Sequence, residues 1–155
     1  MFERVFHLNI CVSDLDRALD FYCGILGMTM AEGHPFETEG DDLVQGFGMT
    51  DQPRVRIRGA FLRWGDDENA TNIDVLQFIE PAPTGKPYPT LNNIGICRTA
   101  LKVAGDLDAV YEQLKSKGVE FMSPPVVTTL SGKSVRWCCF YDPDRTVLEI
   151  FTDRV

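Results

Sequence analysis

The chain contains two copies of one pattern, and this internal repeat constrains the fold more than any other feature. The segment RVFHLNICVSDLDRALDFY at 4–22 matches GICRTALKVAGDLDAVYEQL at 95–114 when both are aligned on a shared valine and on Asp-Leu-Asp. Each copy has a short alternating stretch, typical of a strand, before an amphipathic stretch typical of a helix. The same alignment places His7 opposite Arg98.

Further strands follow each predicted helix. In the first half they are expected at 54–64 and 72–81, and in the second half at 119–122 and in a hairpin over 133–151. Each half therefore predicts a βαβββ module. One helix covers only one face of a sheet, so the other face needs a second partner.

The predicted fold class is α+β, with two βαβββ modules that form a curved mixed sheet around a cavity. We assign module one to 1–80, a linker rich in proline and glycine to 81–94, and module two to 95–155 of a single domain. The segment 31–53 is weakly patterned and longer than most connections, and we expect it to be a mobile lid over the cavity.

Composition excludes several classes of protein. A chain of 155 residues with a formal net charge of −8 lacks the positive field that gathers nucleic acids. It contains no apolar run of the roughly 20 residues that a membrane span requires, and no signal peptide pattern at its start. The expected partner is a small molecule, and the expected location is the cytoplasm. The five cysteines form no CxxC pair and are expected to be reduced, buried residues.

Strand alternation predicts which side chains face the cavity. If the apolar residues of the first strand pack under the helix, His7 and Asn9 point the other way, and Arg98 does so in the second copy. The final strands VLQFI and VLEIF align with Gln77 opposite Glu149. We therefore expect His7, Gln77, Arg98 and Glu149 to line one cavity.

The segments HLNICVSDLDRALDFYCGILGM and CCFYDPDRTVLEIF resemble the vicinal oxygen chelate superfamily, which includes glyoxalase I, bleomycin resistance proteins and extradiol dioxygenases. The resemblance covers nearly the whole chain. It implies a metal site with ligands at four positions: His or Gln, then Glu or Gln, then His, then Glu. His7, Gln77 and Glu149 fit this ligand set, and Arg98 does not.

Arg98 changes the chemistry that the resemblance implies. A guanidinium has no lone pair to donate to a metal, and its fixed charge repels a divalent cation nearby. We expect Arg98 to pair with Glu149 and no metal to be tightly bound. Zinc, nickel, manganese, cobalt or iron would need His7, Gln77 and Glu149 with Arg98 moved aside. An extradiol dioxygenase needs two histidines and a carboxylate, which this sequence does not readily supply.

Three functions stay open. The leading one is a protein that acts on or binds a small anionic or carbonyl-bearing molecule between the modules, with a metal site degraded by Arg98. The first alternative is a metal-dependent lyase, isomerase or epimerase that uses His7, Gln77 and Glu149. The second is a non-catalytic protein that sequesters a small molecule. An enzyme of this kind would be a glyoxalase-like lyase or isomerase rather than an extradiol dioxygenase.

The residue roles follow from these functions. The expected catalytic residues are Glu149 and Arg98, and the expected ligand-binding residues are His7, Asn9, Gln77 and Arg98. The resemblance also implies a homodimer. The sequence does not decide which strand face carries four further side chains: Arg56, Phe61, Trp64 and Trp137.

Overall fold

The computed structural model describes residues 1–154, and Val155, the last residue of the predicted second module, lies outside the described residues. The chain divides into two compact units, Met1–Gly85 and Lys86–Val155. Each unit combines a mixed sheet with helices, so the predicted α+β class is confirmed. The predicted single domain stays a prediction.

The first unit contains five strands and two α-helices. In chain order these are β1 (His7–Cys11), α1 (Leu15–Leu19), β2 (Thr29–Met30), β3 (Phe36–Glu39), α2 (Asp41–Gly46), β4 (Arg56–Arg63) and β5 (Asn72–Glu80). A π-helical turn continues α1 as far as Ile25. The strand order is β1-β5-β4-β2, with β3 also paired to β4. β1 is parallel to β5, and the other pairings are antiparallel.

The second unit repeats this topology with fewer elements. They are β6 (Thr99–Lys102), α3 (Leu107–Ser116), β7 (Val126–Leu130), β8 (Lys133–Tyr141) and β9 (Val147–Thr152). The strand order is β6-β9-β8-β7, with β6 parallel to β9. The sequence repeat is therefore a repeat of topology, and the hairpin predicted over 133–151 is confirmed as β8 and β9.

Local sequence explains where the helices begin and end. The carboxylate of Asp14 accepts a hydrogen bond from the Arg17 backbone N–H at 3.0 Å, and that of Asp106 accepts one from the Asp108 N–H at 2.9 Å. α3 ends before Gly118, whose φ of 86° is a left-handed conformation that glycine adopts without strain. The buried residues of both helices recur at helical spacing: Leu15, Ala18 and Tyr22 in the first unit, and Leu107, Tyr111 and Leu114 in the second.

Each sheet packs its helix against one face only. We call the other face, turned away from α1 or α3, the far face of that unit. In the first unit it carries His7, Asn9 and Cys11 of β1, Asn72, Asp74 and Leu76 of β5, and Phe61 of β4. In the second unit it carries Ala100 of β6, Glu149 and Phe151 of β9, and Trp137 and Cys139 of β8.

The segment 31–53 is more ordered than its sequence suggests. It contains β3 and α2, and its apolar side chains pack against the core formed by Val55, Ile57 and Leu76. The packed side chains are Phe36, Leu43, Val44 and Met49. Because Ile57 and Leu76 share the far face of the first unit, this segment lies over part of that face.

Two smaller expectations are wrong. The strand predicted at 119–122 is reduced to an isolated bridge between Phe121 and Phe140, and the third strand of the unit starts at Val126 instead. The cysteines in the described residues are free, but only Cys138 and Cys139 are buried, while Cys11 is exposed. No helix among residues 1–154 is long and apolar enough to cross a membrane.

Candidate functional site

An ion pair occupies the centre of the far face of the second unit. Glu149 lies in the middle strand β9, between Ala100 of β6 and Cys139 of β8, and it is 8% exposed. The Nε–H of Arg98 donates to Oε2 of Glu149 at 2.5 Å. The expected contact between these two residues is therefore confirmed. A buried carboxylate needs such a partner, because desolvation disfavours its charge.

The guanidinium of Arg98 remains partly accessible beside an aromatic ring. Its side chain is 39% exposed, and its central carbon lies 5.9 Å from the centroid of the Trp137 ring. The indole N–H of Trp137 donates to the hydroxyl of Thr128 at 3.1 Å, which fixes the ring on the far face. The hydrogen bond to Glu149 raises the pKa of Arg98 above its ordinary value, so the guanidinium stays charged.

The corresponding place in the first unit holds a histidine in an aromatic cluster. His7 is the first residue of β1, and its ring centroid lies 5.5 Å from that of Phe6 and 5.6 Å from that of Phe61. Phe61 is therefore a far-face residue, which its sequence alone did not decide. His7 itself is exposed.

Asp74 is the buried carboxylate of this cluster. It is 7% exposed, lies beside Asn9 of β1 and Phe61 of β4, and accepts a hydrogen bond at Oδ2 from the Asn9 amide at 3.0 Å. Its other oxygen, Oδ1, has no hydrogen-bond partner among residues 1–154. Burial raises the pKa of Asp74, while the Asn9 hydrogen bond and the nearby His7 act in the opposite direction.

Gln77 does not belong to this cluster. Its carbonyl oxygen accepts a hydrogen bond from the Leu15 backbone N–H at 3.0 Å, and its amide donates to the Ser13 carbonyl at 3.2 Å. Gln77 therefore lies on the α1 face and holds the start of that helix. The expectation that it shares a face with His7 is wrong, because an odd number of residues separates it from Asp74 on one strand.

The counterpart of Glu149 is Asp74. Asn9 and Ala100 are equivalent in the repeat, and they pair with Asp74 and Glu149 in the two parallel ladders. The alignment of VLQFI with VLEIF is therefore three residues out of register. The signal that could have found Asp74 is an acidic residue between Ile73 and Val75 in a strand core.

The arginines of β4 take no part in either far face. Arg54 pairs with Glu80 and Arg56 with Glu37, and all of these side chains are well exposed. Arg58 pairs with Asp16 at 3.0 Å on the α1 side. The indole of Trp64 donates to the Leu26 carbonyl at 3.1 Å. None of these contacts points to a ligand.

The residues of the second unit do not fit the metal that the resemblance implies. Arg98 has no lone pair for a metal and already binds the carboxylate that would be a ligand. Within residues 1–154 no three His, Cys, Asp or Glu side chains are grouped as metal ligands. His7 and Arg98 belong to different units, and their common cavity stays a prediction.

Comparison with known proteins gives the fold a family. A 2-epi-5-epi-valiolone epimerase from an Actinomyces species is 28% identical over 150 residues, which cover 94% of this chain and 77% of the epimerase. A glyoxalase family protein from Bacillus cereus matches with a TM-score of 0.80 at 20% identity, over 98% of this chain and 95% of that one. The trypanothione-dependent glyoxalase I of Leishmania major matches with a TM-score of 0.65 at 18% identity, over 99% and 88%. At these identities the two structures show a shared fold alone. The family model for the glyoxalase, bleomycin resistance protein and dioxygenase superfamily matches residues 4–150, and the chain belongs to that superfamily.

Proposed function

We propose that the protein is an isomerase-type enzyme that binds a small anionic or carbonyl-bearing molecule and uses Arg98 in place of a metal ion. The observation that carries this proposal is the contact of the Arg98 guanidinium with the Glu149 carboxylate on the far face of the second unit. It joins a permanent cation to a group that can accept a proton, which is the minimum required for enolisation.

The proposed step is a proton transfer. Glu149 takes a proton from the carbon next to the carbonyl of the ligand and becomes a carboxylic acid. The electron pair of the broken C–H bond forms the enolate, whose oxyanion is stabilised by Arg98. Return of a proton to the opposite face of that carbon gives the isomer, with no oxidant or reductant consumed.

Arg98 has donors for this role beyond the one that Glu149 uses. A guanidinium carries five N–H groups in a planar fork, and the contact with Glu149 engages the Nε–H. The partial exposure of the side chain leaves its outer edge accessible to a ligand. Preorganised donors of this kind act without reorganisation when charge develops in the transition state.

The epimerase among the relatives supports the isomerase class, since epimerisation inverts one carbon without changing composition. Members of the superfamily bind small molecules, often use divalent metals and commonly form dimers. For this chain, the homodimer is part of the proposal. The lyase reading and the binding-only reading lack a specific observation in their favour.

The test is solvent exchange of the ligand. Incubation of 2-epi-5-epi-valiolone with the protein in deuterium oxide should place deuterium next to the carbonyl, detected by proton NMR. Removing one oxyanion donor lowers turnover by about 10²–10³-fold, so Arg98→Met should lose at least about 100-fold in exchange rate. Glu149→Gln should also lose exchange, because it removes the base.

Arg136 offers a matched control. It is also a partly exposed arginine in an ion pair, with Asp108, but its contacts lie on the α3 side of the sheet. Arg136→Met should exchange at the wild-type rate. Exchange that persists in Arg98→Met, or falls equally in both variants, would refute the role of Arg98.

A further inference from the structure

The first unit contains two buried acceptors that the protein does not satisfy. Oδ1 of Asp74 and Oδ1 of Asn72 have no hydrogen-bond partner among residues 1–154. Asp74 is 7% exposed and Asn72 is 3% exposed. An unpaired buried acceptor costs free energy, so each one in a native protein requires an explanation.

Both side chains are held in place by their other polar atom. The Asn9 amide donates to Oδ2 of Asp74 at 3.0 Å, and the Asn72 amide donates to the Phe6 carbonyl at 3.3 Å. The unpaired oxygens are therefore fixed acceptors. Other buried carboxylates of the chain are matched: Glu149 binds Arg98, and Asp142 accepts from two backbone N–H groups of its own turn.

Aromatic rings surround these acceptors on the same face. Phe6, His7 and Phe61 form a cluster with centroid separations of 5.5 to 5.9 Å, and Phe36 stacks on Phe61 at 5.6 Å. Phe6 is 51% exposed and His7 is also exposed. Rotation of exposed side chains, rather than opening of the core, is thus expected to give a ligand access to Asp74.

We infer that Asp74 and Asn72 form a subsite for a small hydroxylated molecule, whose hydroxyl groups donate to the two oxygens while its carbon skeleton packs on Phe61. The two residues are two positions apart on β5 and share a face, so their side chains emerge about 7 Å apart. This spacing suits a polyol or hydroxyketone with hydroxyl groups at both ends. The ligand class rests on the proposed function, whereas the subsite rests on the first unit alone.

The test replaces one oxygen of Asp74. In Asp74→Asn the side chain keeps its shape, and its carbonyl oxygen still accepts from Asn9, but an N–H group replaces the unpaired acceptor. Asp142→Asn is the matched control, since Asp142 is a buried aspartate outside the cluster. The probe is 2-keto-myo-inositol, a ring ketone whose other ring carbons each carry a hydroxyl group, and saturation-transfer NMR measures its binding.

We expect the wild type and Asp142→Asn to bind the probe alike, and Asp74→Asn to bind at least about tenfold more weakly, as one hydrogen bond to a charged group supports. Asp74→Asn should also melt no lower than the wild type, because it removes a desolvated charge. Wild-type affinity in Asp74→Asn would overturn the subsite and indicate an ordered water only. A joint fall of melting temperature and affinity would assign Asp74 a structural role instead.

Binding and turnover separate the two proposals. If the wild type binds the probe through Asp74 but catalyses no deuterium exchange, the proposed function fails and the subsite stands. If exchange occurs and Asp74→Asn leaves it and binding unchanged, the subsite fails and the proposed function stands. A wild type that does not bind the probe refutes the subsite for hydroxylated ketones.

Discussion

Arg98 and Glu149 come from strands β6 and β9 or their immediate flank, 51 residues apart, and meet with 2.5 Å between Nε and Oε2. Glu149 is the buried partner and Arg98 the partly exposed one, with side chains 10% and 39% exposed. The arginine therefore satisfies a carboxylate that would otherwise be stranded in the sheet.

Arg98→Ala should lower the free energy of unfolding by about 1–3 kcal/mol, the cost of an unsatisfied buried group. The loss of about 3–5 kcal/mol for a fully buried pair is not expected, because Arg98 is partly exposed. Urea denaturation measures the change. Adding Glu149→Gln to Arg98→Ala should recover part of the stability; a double variant as unstable as the sum of the single ones would show that the pair is not coupled.

Protein purified without chelator and without a metal-affinity tag should contain far less than one divalent ion per chain. Arg98 supplies no lone pair and engages Glu149. Elemental analysis by inductively coupled plasma mass spectrometry measures the content. Arg98→His should raise cobalt binding, seen in the visible absorption of the ion, whereas Arg98→Lys should not. One metal per wild-type chain would contradict this account and favour the metal-dependent alternative.

Gln77→Leu should destabilise the protein by about 1–2 kcal/mol without slowing deuterium exchange of the ligand. The variant leaves the Leu15 N–H and the Ser13 carbonyl without their partners at the start of α1. Gln77→Glu is the control that retains an acceptor for Leu15 and should lose less. A variant of normal stability that has lost exchange would return Gln77 to the active site.

Stability should fall as the pH rises from about 9 toward 12. Burial raises the pKa of the Cys138 thiol from 9.0 to about 12. The unfolded thiol ionises first, so the unfolded state gains free energy across that window while the folded state does not. Thermal melting over this pH range should show a shallower decline in Cys138→Ala. An unchanged decline would assign it to other groups, such as Cys139, whose pKa burial also raises.

The segment 31–53 should exchange its amide hydrogens faster than β4 and β5. α2 has six residues and none of them is buried, although Leu43 and Val44 pack against the core of the unit. Hydrogen exchange with mass spectrometry can compare the two regions at peptide resolution. Protection equal to that of the central strands would rule out a lid that opens in the native state.

The sequence by itself determined the repeat, the helix-covered face of each sheet and the pairing of Arg98 with Glu149. Those conclusions follow from periodicity within single segments and from the need of a buried carboxylate for a partner. The same reasoning placed His7 correctly opposite α1, because a strand and the helix that follows it are joined by a short connection.

Only the tertiary structure decided between Gln77 and Asp74. The face that a residue of β5 takes depends on its register with β1, and a shift by an odd number of residues moves every side chain to the other face. That register is set by a connection of some sixty residues and by packing, not by the local pattern. The segment 31–53 was undecidable for the same reason, since β3 and α2 are stabilised by apolar contacts with distant strands.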